Sequence, residues 1–425
     1  MAVIKSFKAM RFTGKAGDLK SLVCPPYDII NEAEREEYLK TNEYNIIRLE
    51  LPRDGDDPYA EAGMTLKKWL REEILAIDET PALYIYEEEF LAAGIRRKVK
   101  GFTCRVRLEE FSAGVVLPHE ETLSKAKTDR FNLMCAAKSN FSAVQSLYFD
   151  EQNTVFPIID ALSQRAPDNE ITDGAGVVHR LWVVTEQDKI SEIVKLMVDK
   201  KIYIADGHHR YETALHYRKH LAGQGKSIDE NHPANHVMMH LVNMENDGLV
   251  VFPTHRVVRR LPGFNMENVL KGCKRYFEVS DCADAEQALS GCEKENKKAF
   301  VMYTGGESKL LVLKDVEVMK ELLPGKSQVY RNLDVSVLHT LVLERLLGID
   351  KENMANQKNL VYTRSVPEAY AAVDNGEANC AFLMNPTKVS EIAEVSGANE
   401  KMPQKSTYFY PKLITGLAMN PLFDK

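Results

Sequence analysis

Residues 202–215, IYIADGHHRYETAL, constrain the fold more than any other stretch. A short apolar run, Ile202 to Ala205, stops at Asp206-Gly207, and helix-forming residues follow at once. An apolar run this short, bounded by such punctuation, reads as a buried strand that passes directly into a helix. The helix is expected from His208 to about Leu221, where Gly223 and Gly225 stop it.

Strands and helices alternate elsewhere, so the expected fold class is α/β, an α+β arrangement with a mixed sheet. Residues 31–43 read as an exposed helix, Asn45 to Leu51 as a strand rich in branched residues, and 58–75 as a helix carrying Leu66, Trp69 and Leu70. Two strand-like runs, 82–90 and 97–108, flank LAAGIR and predict a hairpin. Strands follow at 143–149 and 177–184, with helices at 153–164 and 187–199. His236 to Val242 and Leu249 to Phe252 look like a strand pair joined at Asn246-Asp247-Gly248. Beyond Pro262 short helices and strands alternate. A strong helix is expected at about 335–347, with Leu338, Val342 and Leu346 on its core face. A single core rarely grows past ~250–300 residues, so a chain of 425 residues should hold two or three domains. The expected parts are 1–112, 113–262 and 263–425.

Composition removes some function classes. The net charge of −7 offers no global basic field for nucleic acid, which is not expected as a partner. No apolar run approaches the ~20 residues that span a bilayer, and MAVIKSFKAMRF lacks the apolar core of a secretory signal. The seven cysteines are scattered, without a CxxC pair, as in a cytoplasmic protein with reduced thiols.

The chemistry of the opening stretch follows from helix ends. The first N–H groups of a helix lack internal partners and carry the positive end of its dipole. A phosphate fits there, and Gly207 would permit positive φ and close approach. His208, His209 and Arg210 would donate to phosphate oxygens, arginine as a fork. In the plainest alternative Asp206 caps the helix and the rest is solvated. A metal shared by His208 and Glu212, at i and i+4, is a further alternative with too few ligands.

Other segments carry candidate groups. His119, Glu120, Glu121 and Thr122, in LPHEET, form either a charged cluster ahead of a helix or part of a site. Asp129 and Arg130 are adjacent on a helix and by spacing point in different directions. His255 and Arg256 follow Pro253-Thr254, a strand end where catalytic groups often lie. Pro25-Pro26-Tyr27-Asp28 is stiff. Lys405 and Ser406, in MPQKSTYFYPKL, sit in a loop able to bind phosphate or to pack.

Over nearly the whole chain, these marks together resemble a prokaryotic family known only as a domain of unknown function. Within it, IADGHHRYETA is similar to the phosphate-binding signature of the ParB/sulfiredoxin superfamily, and most of all to its free serine kinase branch. That resemblance implies a ParB/sulfiredoxin-like core over 113–262. It implies a phosphotransferase acting on a small hydroxylated metabolite, free serine or O-phosphoserine, with a nucleotide (ATP or ADP) or pyrophosphate as donor or acceptor and Mg²⁺ bridging the phosphates. Glu120 is the matching general base. Asp206 would hold metal or substrate hydroxyl, His209 would be catalytic, and Gly207, His208 and Arg210 would hold phosphate. His119, Thr122, Arg130, His255, Arg256, Lys405 and Ser406 would line the substrate. About 85 residues separate Glu120 from Asp206, so an insertion must lie between them. Homo-oligomerisation stays open, as do a ParB-like nucleotide-binding regulator and a metal-dependent phosphohydrolase.

Overall fold

The structure, a computed structural model, describes residues 1–122 and 124–423, with backbone alone at 124 and 125. The chain forms two compact units. The first contains Met1–Pro118, Thr122–Val250 and the chain from Pro411 on; the second contains His119–Glu121 and Val251–Tyr410. This differs from the expected boundaries at 112 and 262. Strands from both of those stretches are hydrogen-bonded into one sheet.

That sheet has nine strands and dominates the first unit. Its order is Val116–Leu117, Ile202–Asp206, Val144–Tyr148, His236–Asn243, Ile95–Arg107, Leu83–Ala92, Val178–Val184 and Asn169–Thr172, with Ile4–Lys5 also on the 95–107 strand. The expected hairpin forms by turning at Ala93-Gly94, both at positive φ. The sheet is mixed: 202–206 runs parallel to 116–117 and antiparallel to 144–148, and 236–243 runs parallel to 144–148. Every residue of His236–Asn243 is buried, as expected for a central strand covered on both faces.

Helices pack by their apolar stripes. In Pro58–Arg71, capped by Asp57, the positions Ala62, Leu66 and Trp69 are buried at spacings of four and three. Burying Leu66 or Trp69 contributes ~1.5–3 kcal/mol each, and Leu66→Ala should cost ~2–5 kcal/mol. Gln187–Met197 does the same with Ile190, Ile193 and Met197. Among the described residues no helix is long and apolar enough to cross a membrane.

The second unit is built on a six-stranded antiparallel sheet in the order Phe277–Asp281, Ser308–Leu313, Ala299–Tyr303, Cys380–Met384, His255–Val258 and Leu360–Thr363. Ala285, Leu289, Ala369 and Val373, from the helices Ala285–Lys294 and Val366–Asp374, share a core with Val257, Val301, Ala381 and Leu383.

Three expected elements differ. Residues 45–51 are not a strand. Asn45 Oδ1 accepts from Ile47 N, and the chain turns into the one-turn helix Ile47–Glu50, whose Ile47, Leu49 and Glu50 are buried. The local side-chain bond offers the backbone an alternative to a ladder, so β propensity is overridden. Residues 236–242 and 249–252 do not pair with each other. The first strand already has partners on both sides, and Phe252 N donates to Tyr408 O in the second unit. The expected 335–347 helix starts as Asp334–Val337 and widens into a π-helix over Leu338–Glu344; Leu338 and Val342 are buried as expected.

Candidate functional site

The 202–206 strand carries a register shift between Ile204 and Asp206 against Ser146 and Gln145. The extra residue, Ala205, re-aims the strand end. Gly207 follows at φ +95° and is the N-cap of His208–Gly223. That conformation favours glycine, and space requires it too. A Cβ on Gly207 would lie 2.8 Å from Arg210 Nε, because the guanidinium folds back over this residue. No side chain caps the helix, so the alternative in which Asp206 is its cap does not hold.

Asp206 is held by cations instead. Arg210 Nη2 donates to Oδ2 at 2.6 Å, and Lys412 Nζ donates to Oδ1. Burial opposes ionisation of Asp206, but Lys412, then Arg210, with His208, outweigh it and hold the carboxyl below the usual carboxylate range. Arg210 Nη1 donates to Ala143 O. Its Nε is buried and, among the described residues, has no partner. The same is true of Gln145 Oε1, on the residue paired with Asp206 across the sheet. A donor and an acceptor are thus left over beside the start of a sixteen-residue helix.

A second charge layer adjoins. Glu50 is 2 % exposed and accepts from Ser142 Oγ at 2.8 Å. Burial raises its carboxyl above the usual range against the pull of Arg130, Ser142 and Arg210. Arg130 is buried as well. Nη1 donates to Glu50 O at 2.7 Å, and the guanidinium carbon lies 4.0 Å from the centre of the Tyr27 ring. Arg130 also curls back on Asp129, Nη2 to Oδ2 2.6 Å, a contact that helix spacing alone does not suggest. The long side chain makes it because Glu50 and Tyr27 fix its end. Asp129 in turn accepts from Tyr59. Asp28, exposed, interacts electrostatically with Arg210 and Glu50. Motifs far apart in the sequence, PPYD, DR and DGHHR, therefore meet in the first unit, together with Lys412. Thr122 belongs there too, donating to Glu212 Oε2, which Lys127 also reaches.

His119, Glu120, His255, Arg256, Lys405 and Ser406 lie in the second unit. Glu120 bridges Met402, and its Oε1 accepts from Ser406 N at 3.2 Å. His119 is buried, with Nε2 2.8 Å from Thr407 Oγ1. The 402–407 segment thus holds the carboxylate in place. His255 and Arg256 are not at a loop edge. They open a central strand, flanked on both sides, and are 2 % and 0 % exposed. Arg256 donates to Thr254 O, to Lys405 O at 3.0 Å and to His339 Nε2 at 3.3 Å, so it braces the segment from behind. The Ser406 hydroxyl is committed to Pro403 O rather than offered to a ligand. Lys405 is exposed, at φ +56°.

Glu50, Ser142, Gln145 and Lys412 escaped the sequence reading as site residues. Lys412 alone had a signal, its place in MPQKSTYFYPKL. A resident metal on Asp206 does not fit, since both carboxylate oxygens face cations. Glu212 is likewise engaged, and among the described residues no group of three or more His, Cys, Asp or Glu side chains is placed to hold a metal ion.

The family described as "Protein of unknown function (DUF1015)" matches residues 4–336. No curated protein matches the chain. Among solved structures it is similar to a conserved hypothetical protein from Pyrococcus furiosus, at 15% identity over 72% of this chain and 91% of that one, with a TM-score of 0.35. It is similar to free serine kinase in complex with AMP, at 13% identity over 72% and 89%, TM-score 0.35. SbnI with a C-terminal truncation, from Staphylococcus aureus, is 11% identical over 75% and 87%, TM-score 0.37.

Proposed function

The chain belongs to the DUF1015 family, and we propose that it is a phosphotransferase acting on a small hydroxylated metabolite, free serine or O-phosphoserine, with a nucleotide or pyrophosphate as the other partner. One observation carries the reading: Arg210, pinned over Gly207 at a helix start, is buried with an unpartnered Nε beside the ionised Asp206. Buried donors cost ~1–3 kcal/mol when unpaired, and a phosphate oxygen would relieve that cost. The similarity of DGHHR to the ParB/sulfiredoxin signature agrees with it.

In this reading the helix start, Arg210, His208 and His209 hold the transferring phosphate, and Lys412 adds charge. Their role is electrostatic, since phosphoryl transfer asks chiefly for positioning and charge neutralisation. Asp206 orients Arg210 and Lys412. A carboxylate, for which the sequence resemblance offers Glu120, takes the hydroxyl proton as the substrate oxygen bonds to phosphorus and the donor's P–O bond breaks, the bond's electrons leaving with the donor. In reverse, phosphoserine gives up its phosphoryl group and Glu120 returns the proton. Magnesium belongs with the nucleotide's own phosphates and supplies charge neutralisation there.

The test incubates the protein with serine, Mg²⁺ and, in turn, ATP, ADP and pyrophosphate, and follows phosphoserine by phosphorus NMR, with the reverse reaction alongside. Phosphoserine formation supports the reading. Nucleotide binding without turnover in either direction overturns it in favour of a nucleotide-binding regulator.

A further inference from the structure

The second unit holds a cavity of about 160 Å³ that the phosphotransfer reading does not use. That is well above the ~10–15 Å³ that admits a single water, and on the scale of a small metabolite. One wall is the helical stretch 334–344, which contributes Ser336, His339, Thr340 and Glu344. Most of these come from the π-helical turn, a deformation found often at functional sites. Met402–Gln404 and Glu121 also line the cavity.

Both signs of charge line this one space. Lys326, Lys351 and Lys401 contribute cations; Glu121 and Glu344 contribute carboxylates. Lys326 lies over the Tyr330 ring at 4.3 Å and reaches Glu400 at 3.6 Å. The side chains of Glu344 and Lys351, however, make no hydrogen bond or ion pair with each other or with any other described residue. Glu344 is part-buried; burial raises its carboxyl, and Lys351 opposes the rise through space. Two unpaired opposite charges lining a cavity with apolar Leu323, Met354 and Met402 suit a ligand that carries both charges itself.

We propose that this cavity binds a free α-amino acid, its ammonium toward Glu344 and Glu121, its carboxylate toward Lys351 and Lys326. The bound ligand would act on Glu120. Met402 N donates to His119 O, Met402 bridges Glu120, and the cavity-lining His339 accepts from Arg256, which donates to Lys405 O. Filling the cavity therefore fixes both supports of the 402–407 segment. Binding stands apart from the phosphotransfer reading; only its effect on turnover rests on that reading.

The test is calorimetry of the full chain with each proteinogenic L-amino acid, and with the deaminated acid and decarboxylated amine of any that binds. The expected result is binding by at least one amino acid and by neither analogue. Affinity should fall at least about tenfold in Glu344→Gln, half-buried, and in Lys351→Met, exposed, and persist in Asp206→Asn. Absence of binding by every amino acid overturns the proposal. So does equal binding of the deaminated acid, which marks a plain anion site, or loss of binding in Asp206→Asn with none in Glu344→Gln, which places the amino acid in the first unit. Should binding be confirmed with no phosphoserine formed under any condition, the phosphotransfer reading falls and the amino-acid site remains.

Discussion

Gly207→Ala tests the geometry on which the site depends. Two costs follow from the structure. The residue sits at φ +95°, where a non-glycine side chain costs ~1–3 kcal/mol. The new Cβ would also meet Arg210 Nε at 2.8 Å, and Nη2 at 2.9 Å. Overpacking of this kind costs ~1–3 kcal/mol, less if the guanidinium swings away. The sum, ~2–6 kcal/mol, is large against a typical stability of ~5–15 kcal/mol. If Arg210 swings, Asp206 keeps Lys412 alone, and the fork over the helix start is lost. A charge-assisted hydrogen bond is worth ~1.5–3 kcal/mol, so nucleotide or pyrophosphate affinity should fall roughly 10- to 100-fold. Urea denaturation gives the first quantity and calorimetric titration with ATP or pyrophosphate the second. Gly223→Ala is the control. It lies in the same helix with nothing within 4 Å of the place its methyl group would take, and it should be neutral or mildly stabilising. The reasoning fails if Gly207→Ala matches the wild type in urea and still binds phosphate ligands with native affinity.

Other outcomes follow from the same contacts. Lys412→Met removes the Oδ1 partner of Asp206, so the carboxyl should titrate at higher pH and ligand affinity should drop at least about tenfold; carbonyl-region infrared titration and calorimetry check the two parts. Glu120→Gln should melt with the wild type and bind nucleotide normally while phosphoserine formation disappears; unchanged turnover removes Glu120 from the chemistry. Stability of the first unit should depend on acid. Burial lowers His240 to about 3 and His236 to about 4, so the unfolded chain takes up protons that the folded one refuses as pH falls below the ordinary histidine range. Their contribution is present above that range and is lost toward pH 4. Glu88, which burial raises to about 7, works the other way: its contribution is present below the ordinary carboxylate range and is lost as pH rises through 7. Between those limits the two histidines are opposed by Glu88 and also by the buried Glu50, so the net uptake on unfolding is below one proton and the slope is less than ~1.4 kcal/mol per pH unit. Imidazole titration followed by NMR checks the premise: His240 and His236 should stay neutral from pH 6 to pH 5, and titration in the ordinary histidine range would contradict it.

The parts of this molecule legible in the sequence are those that local chemistry decides. Asp-Gly after an apolar run marks a strand-to-helix junction because only a few residues can turn the chain there, and the 202–223 region forms as expected. The amphipathic helices and the 83–107 hairpin are legible for the same reason. Where a local bond competes with propensity, the reading fails. Asn45 diverts NIIRLEL into a one-turn helix, and that turn puts the buried Glu50 beneath Arg130. The misread strand and the missed site residue are therefore one error. Lys412 is a different case, 206 residues from Asp206. No periodicity in MPQKSTYFYPKL distinguishes it from Lys405, yet the chain divides between them, Lys405 in the second unit and Lys412 in the first. Ser406 shows the converse: a hydroxyl that looks available in the sequence is used by the backbone of its own loop. Residue type thus offered phosphate as the ligand to test, but partner identity depended on contacts that only the folded sheet brings together. The basic residue to substitute first in a test of phosphate binding is accordingly Lys412, not Lys405.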